Sequence, residues 1–315
     1  MNLLSVDHLS KTYRGAHGAE VHAVSDVSFS IADGEVLGVV GESGCGKSTL
    51  GRSILKLIEP SAGSVSFAGR DITTLNRHAM KPVRRDLQII FQDPFGSLNP
   101  RHKVGTIIGE PLVVHGIGNG ASRRARVAEL LALVGLPEDA AKRFPHEFSG
   151  GQRQRIAIAR ALALEPKLLV ADEAVSALDV SIQSQIINLI ADLRKRLGLA
   201  IMFISHDLSV IRHVSDRIAV MYLGRIVEIG PAAEIMDAPK HPYTQALLSA
   251  IPRPGERRER QVLKGELPDP ANPPAGCPFH TRCPKVMDIC HSVRPELLPP
   301  AGIASKSEVA CHLYS

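Results

Sequence analysis

At 315 residues and 44% apolar composition, the chain is long enough for one large domain and a smaller one. No apolar run approaches the roughly 18 residues a membrane-crossing helix needs, and the opening MNLLSVDHLSKTYRG is neither a signal nor a transit segment. The net charge of +5 is a mild basic bias, scattered apart from the runs Lys81–Arg85, Ser122–Arg126 and Gly255–Arg260; with no Trp and 4% aromatics there is little for base stacking, so nucleic acid is not an expected partner.

In chain order, Val24, Val27, Phe29 and Ile31 stand among polar residues before the turn ADGE, which predicts a small antiparallel layer. Short continuous apolar runs follow at Val36–Val40, Leu87–Phe91, Leu168–Ala171, Ala200–Ile204 and Ile218–Tyr222. Runs of this kind fit parallel strands buried on both faces. Helical patterns fall between them at Ser48–Ile58, Ala125–Val134, Gln152–Leu164 and Ile182–Leu197. The expected architecture is α/β with a mostly parallel sheet. Residues from about Asp93 to Pro145 lack strand signals and read as a helical insert. Fourteen of the 22 prolines lie from Pro231 onward, which predicts a loop-rich tail of about 80 residues.

Two segments carry phosphate chemistry. Gly41–Thr49 reads GESGCGKST and fits G-x-x-x-x-G-K-[ST], with a strand leading in and a helix leading out. Its members are Gly41, Glu42, Ser43, Gly44, Cys45, Gly46, Lys47, Ser48 and Thr49. The glycines let successive N–H groups face inward as an anion nest, and the helix start adds partial positive charge. Lys47 is expected to reach the β- and γ-phosphates of a nucleotide, Ser48 to offer its hydroxyl to Mg²⁺, and Cys45 to fill the loop. Leu168–Glu173 reads LLVADE, an apolar strand ending in two carboxylates at the edge where open α/β sheets bind ligands. Asp172 is expected to hold Mg²⁺ through water, and Glu173 to orient or deprotonate an attacking water. The sequence has no N-K-x-D guanine reader and no dinucleotide fingerprint at this loop.

With these in place, FSGGQRQRIAIARAL (Phe148–Leu162) resembles the signature of ABC ATPases. Tyr13 in LSKTYRG resembles the adenine-stacking aromatic, Gln92 in IIFQDPFGSLNPR the Q-loop glutamine, Ser176–Asp179 the D-loop, and His206 in FISHD the switch histidine. Phe148 stands where the family has Leu, and Ala174 where it has Pro. The resemblance covers about residues 1–235. It implies a P-loop NTPase (RecA-like) core with an N-terminal antiparallel β layer, a helical subdomain at about 93–165, and a nucleotide-binding domain of residues 1–235. Ser149 would cap its helix, while Gly150, Gly151 and Gln152 would leave the helix start open to the γ-phosphate held by a second subunit. Gln92 would serve Mg²⁺ and its waters alongside Ser48 and Asp172; His206 would contact the γ-phosphate, and Asp179 would lie at the dimer interface.

The tail narrows the resemblance. KHPYTQALLSAIP (Lys240–Pro252) and GCPFHTRCP (Gly276–Pro284) resemble the C-terminal extension, residues 236–315, of dipeptide and oligopeptide importer ATPases, of the second, F-type subunit. This implies an ATP-hydrolysing motor on the cytoplasmic side of the inner membrane. It would pair with a sister ATPase or with itself, drive two transmembrane permease subunits, and be fed by an extracytoplasmic peptide-binding protein. A nickel chelate or glutathione remains an alternative cargo, and a soluble ABC ATPase on nucleic acid or ribosomes a rival. Cys277, Cys283, Cys290 and Cys311, with gaps of five, six and twenty residues, are expected to hold a [4Fe–4S] cluster, with Zn²⁺ or mixed ligation by His280, His291 and His312 left open. Such a centre would staple a tail with little core.

Overall fold

The computed structural model describes residues 2–15, 19–93, 96–250 and 265–315. The basic run Gly255–Arg260, Pro94 and Phe95 of the Q-loop segment, and the end of KHPYTQALLSAIP lie outside the described residues. The elements in chain order are β1 (Asn2–Arg14), β2 (Glu20–Ala32), β3 (Val36–Val40), α1 (Lys47–Ile54), β4 (Ala62–Phe67), β5 (Arg70–Asp71), α2 (Met80–Asp86) and β6 (Leu87–Ile90). There follow α3 (Val104–Val114), α4 (Gly120–Leu133), α5 (Gly150–Ala161), β7 (Leu168–Asp172), α6 (Val180–Leu197), β8 (Ala200–Ile204) and α7 (Leu208–Val214). The last are β9 (Arg217–Tyr222), β10 (Arg225–Pro231), α8 (Ala232–Asp237), α9 (Pro242–Ser249) and β11 (Glu308–Val309). Among the described residues no helix is long and apolar enough to cross a membrane.

The chain forms two compact units. One comprises residues 2–31, 36–73 and 204–315. It holds the antiparallel layer the sequence predicts, in the order β2-β1-β4-β5, with Leu4 opposite Phe67 and Val6 opposite Val65. All four of these side chains are buried. A second layer runs β11-β10-β9-β3. β3 is buried along its whole length and pairs in parallel with β9, Val40 against Val220. β10 and β11 close the edge antiparallel, Glu228 against Val309. Among the described residues the proline-rich tail is loop punctuated by α8, α9, a 3-10 turn at Asp288–His291 and this short strand. Pro242 stands in the first turn of α9, where a missing N–H costs no helical bond.

The other unit comprises residues 32–35 and 74–203. Its strands run β8-β7-β6, with β6 and β7 parallel and Ile90 opposite Ala171. β7 and β8 are buried throughout, as their continuous apolar runs require. The insert after β6 is helical, as expected. α4 starts at a capping box in which Asn119 accepts from Ala121 and Ser122 and the Ser122 hydroxyl accepts from the Asn119 N–H.

Candidate functional site

The phosphate-loop residues, Tyr13 and His206 belong to the first unit; Gln92, Ser149–Gln152, Asp172, Glu173 and Asp179 belong to the second. In the loop, Gly46 has φ 101°, and a Cβ there would lie 1.9 Å from the Ala23 carbonyl oxygen. Only glycine tolerates both the backbone and the approach. A Cβ at Gly44 would meet nothing within 4 Å, so the loop is packed on one side and open on the other. α1 begins directly after Gly46 with no side-chain cap and no acidic residue in its first turn. No cap and no carboxylate in its first turn therefore competes with an anion at this helix start. The Lys47 side chain is buried, and its Nζ donates to the carbonyls of Gly41 (2.8 Å) and Glu42 (3.0 Å). Ser48 and Thr49 follow in the first turn of α1. Cys45 is buried, which pushes its thiol above the usual range and leaves a neutral filler. This loop fits a nucleotide triphosphate by its open face, its uncapped helix start and its buried ammonium.

Sequence reasoning missed two residues that reach this loop. The Glu42 N–H donates to the Tyr243 phenol oxygen at 2.9 Å, and the Glu42 carboxylate accepts two bonds from Arg282. They lie 201 and 240 positions away, where no spacing rule applies. Tyr13 is 37% exposed, and the Lys11 ammonium lies 5.0 Å from its ring centroid. His206 is exposed just beyond β8, next to Asp207, which caps α7.

In the second unit, Asp172 is buried at the end of β7 and Glu173 follows it. Glu173 has φ 49°, a left-handed conformation costly for a residue with a side chain and typical of functional positions. The turn is held by Ser176, whose N–H and hydroxyl both donate to the Glu173 carbonyl (3.1 and 3.0 Å). The Gln92 side-chain amide donates to the Glu173 carboxylate at 2.9 Å. The structure thus brings together two candidates that lie 81 positions apart.

The signature helix α5 begins at a reciprocal cap. Ser149 Oγ accepts from the Gln152 N–H, and Gln152 Oε1 accepts from the Ser149 N–H. S-x-x-Q is itself a capping-box pattern, a signal the sequence carried. Gly150 and Gly151 form the first turn. A Cβ on Gly151 would lie 2.5 Å from Ile182 Cγ2, and one on Gly150 would stand at an ordinary 3.4 Å from Leu178. Phe148 is buried with the Arg143 guanidinium 4.3 Å from its ring centroid, so the larger side chain has a partner. Asp179 precedes α6, and Val180 beside it is 78% exposed.

The metal-centre expectation is overturned. Among the described residues, which include all four tail cysteines, no group of three or more His, Cys, Asp or Glu is placed to hold a metal ion. Burial pushes the Cys277 and Cys311 thiols up to about 11 and also raises Cys283. The same placement leaves His280, His291 and His312 outside any such group, so mixed ligation finds no support either. Aromatic packing ties the tail to β9. Phe279 packs against Tyr222, Tyr243 and His241 at centroid distances of 5.2, 5.4 and 5.6 Å.

Comparison with known proteins places this geometry. Residues 24–176 match the ABC transporter family, and residues 227–290 match the oligopeptide/dipeptide transporter C-terminal region. A putative peptide import ATP-binding protein of Brucella ovis is 55% identical over 297 residues, covering 94% of this chain and 93% of the relative. The oligopeptide transport ATP-binding protein AppF of Bacillus subtilis is 56% identical over 301 residues, covering 94% and 91%. Among solved structures, the dimeric ATP-binding cassette MJ0796, bound to ADP and Pi in a post-hydrolysis state, is similar with a TM-score of 0.66 at 30% identity, over 73% of this chain and 98% of that one. cbiO1 from Clostridium perfringens gives a TM-score of 0.67 at 30% identity, over 75% and 91%. With the loop, the carboxylate turn and the capped glycine helix all present, the chain belongs to the ABC transporter family, among the ATP-binding proteins that carry the oligopeptide/dipeptide transporter C-terminal region.

Proposed function

We propose that the chain is the ATP-hydrolysing motor subunit of an ABC importer for di- or oligopeptides. The observation that carries this reading is the match along 94% of the chain to relatives named for peptide import. Residues 1–235 are the nucleotide-binding domain, with a helical subdomain at about 93–165, and 236–315 are the extension. The loop N–H groups and Lys47 bind the phosphates, and Tyr13 stacks on the base. Ser48, Asp172 and Gln92 would hold Mg²⁺ and its waters, and the ion would supply positive charge against the phosphate oxygens. Glu173 takes the proton of the attacking water; the Gln92 amide, 2.9 Å away, orients its carboxylate. His206 contacts the γ-phosphate. Ser149–Gln152 offer a helix start to the triphosphate held by a partner cassette, either a sister ATPase or a second copy. Asp179 and the exposed Val180 lie at that interface. The dimer works on the cytoplasmic face of two permease subunits, with a peptide-binding protein supplying cargo from outside.

Glu173→Gln in the assembled importer tests the chemistry. ATP binding should persist while turnover falls by roughly 10²–10⁴-fold, the usual contribution of a general base. Turnover near the wild-type rate would remove Glu173 from this role.

A further inference from the structure

The phosphate loop contains a carboxylate, Glu42, at a place the proposed function assigns to a triphosphate. Unpaired, it would repel that ligand. The structure pairs it with the tail. Arg282 donates from both terminal nitrogens to the two carboxylate oxygens, at 2.7 and 3.0 Å. This fork-to-carboxylate geometry is the strongest form of the contact. The Arg282 side chain is 7% exposed and Glu42 29%, so solvent screens the pair only in part. These bonds raise the Arg282 guanidinium further above its already high value.

The same residue is held at its backbone. Its N–H donates to Tyr243 Oη at 2.9 Å, and its carbonyl accepts from Lys47 Nζ at 3.0 Å. Tyr243 is fully buried, and burial keeps its phenol neutral. A continuous set of contacts therefore runs from α9 through Glu42 to the lysine of the loop. Arg282 is presented by the turn that carries Phe279: the Arg282 N–H donates to the Phe279 carbonyl at 3.0 Å, and Phe279 packs on Tyr222 and Tyr243. The guanidinium lies 5.9 Å from the Tyr222 ring centroid.

We propose that Arg282 and Tyr243 are positioning residues for nucleotide binding: Arg282 neutralises Glu42 beside the phosphate site and Tyr243 fixes the Glu42 peptide, so that the C-terminal region sets the affinity of the loop for ATP. This rests on the reading of Gly41–Thr49 as the nucleotide site. Shortening or loosening the tail would then weaken ATP binding without touching a loop residue.

The test is titration of the full-length chain with a fluorescent ATP analogue and Mg²⁺, comparing wild type, Arg282→Met, and Arg282→Met combined with Glu42→Gln. Arg282→Met should weaken binding about tenfold, because a partly buried carboxylate is left uncompensated at an anion site. The added Glu42→Gln should restore binding to within about threefold of wild type, because the repelling charge is gone. Arg282→Met binding as tightly as wild type would overturn the proposal. So would a double variant as weak as Arg282→Met, since a merely structural Arg282 predicts no rescue. If circular dichroism shows Arg282→Met unfolded, Arg282→Gln, which removes the charge but keeps polar donors, gives the same comparison. Failure of the wild-type chain to bind the analogue would instead bring down the nucleotide-site reading, and the proposal with it.

Discussion

Two adjacent glycines start the signature helix, and they are there for different reasons. At Gly151 a Cβ would lie 2.5 Å from Ile182 Cγ2, so α5 and α6 approach each other through a missing side chain. Alanine there gains about 1 kcal/mol of helix propensity but overpacks by about 1–3 kcal/mol. Gly151→Ala should lower the urea midpoint, and a raised midpoint would contradict the packing account. Gly150 has no such neighbour, its Cβ contact being an ordinary 3.4 Å. Packing does not demand glycine at 150, which leaves access to the helix N–H groups as its reason. Glu173, at φ 49° with Ser176 tying down its carbonyl, is a comparable case at the proposed general base. A general-base role is readable from its place after an apolar strand, but its left-handed backbone is not.

Helix α9 begins at His241, whose Nδ1 accepts from the Tyr243 N–H at 3.1 Å. Burial pushes this imidazole down to about 3, so it is neutral in the fold. On unfolding it returns to an ordinary value of 6.5. As the pH falls below 6.5 the unfolded chain takes the proton first, and stability drops by about 1.4 kcal/mol for each further pH step until about 3. Glu234, held at about 2 by Lys240 and Ser305, adds its own loss only below its ordinary 4.5. His241→Asn keeps a capping oxygen without a titrating ring. Urea unfolding at pH 6.5 and 4.5 should show a smaller loss for the variant than for wild type, and equal losses would remove His241 as the cause. The parallel strands were legible because short apolar runs bounded by turn signals fit strands buried on both faces; β3 and β8 fall where Val36–Val40 and Ala200–Ile204 placed them. β10 was missed because Glu228 interrupts its run. That carboxylate is buried and accepts the N–H groups of Lys240 and His241, at 2.8 and 3.0 Å, which no local pattern announces. The tail cysteines misled for a related reason: their spacing allows a metal centre, while the fold brings no group of three or more possible ligands together among the described residues. The Arg282–Glu42 pair was invisible because its members are 240 positions apart.

Taken as a molecule, the chain carries in different units the two segments to which the proposed function assigns the halves of a nucleotide site: the phosphate loop in one, and the capped glycine helix in the other. The family member MJ0796 was solved as a dimer with ADP and Pi. Under the proposed function each triphosphate is gripped by the loop of one cassette and the signature helix of its partner, so hydrolysis belongs to the pair. The direct measurement is ATP turnover per chain across a dilution series, with sedimentation recording the assembly state at each concentration and any co-purifying cassette retained. Turnover should collapse as the paired cassettes separate into monomers. An undiminished rate at a concentration where only monomers sediment would contradict the account.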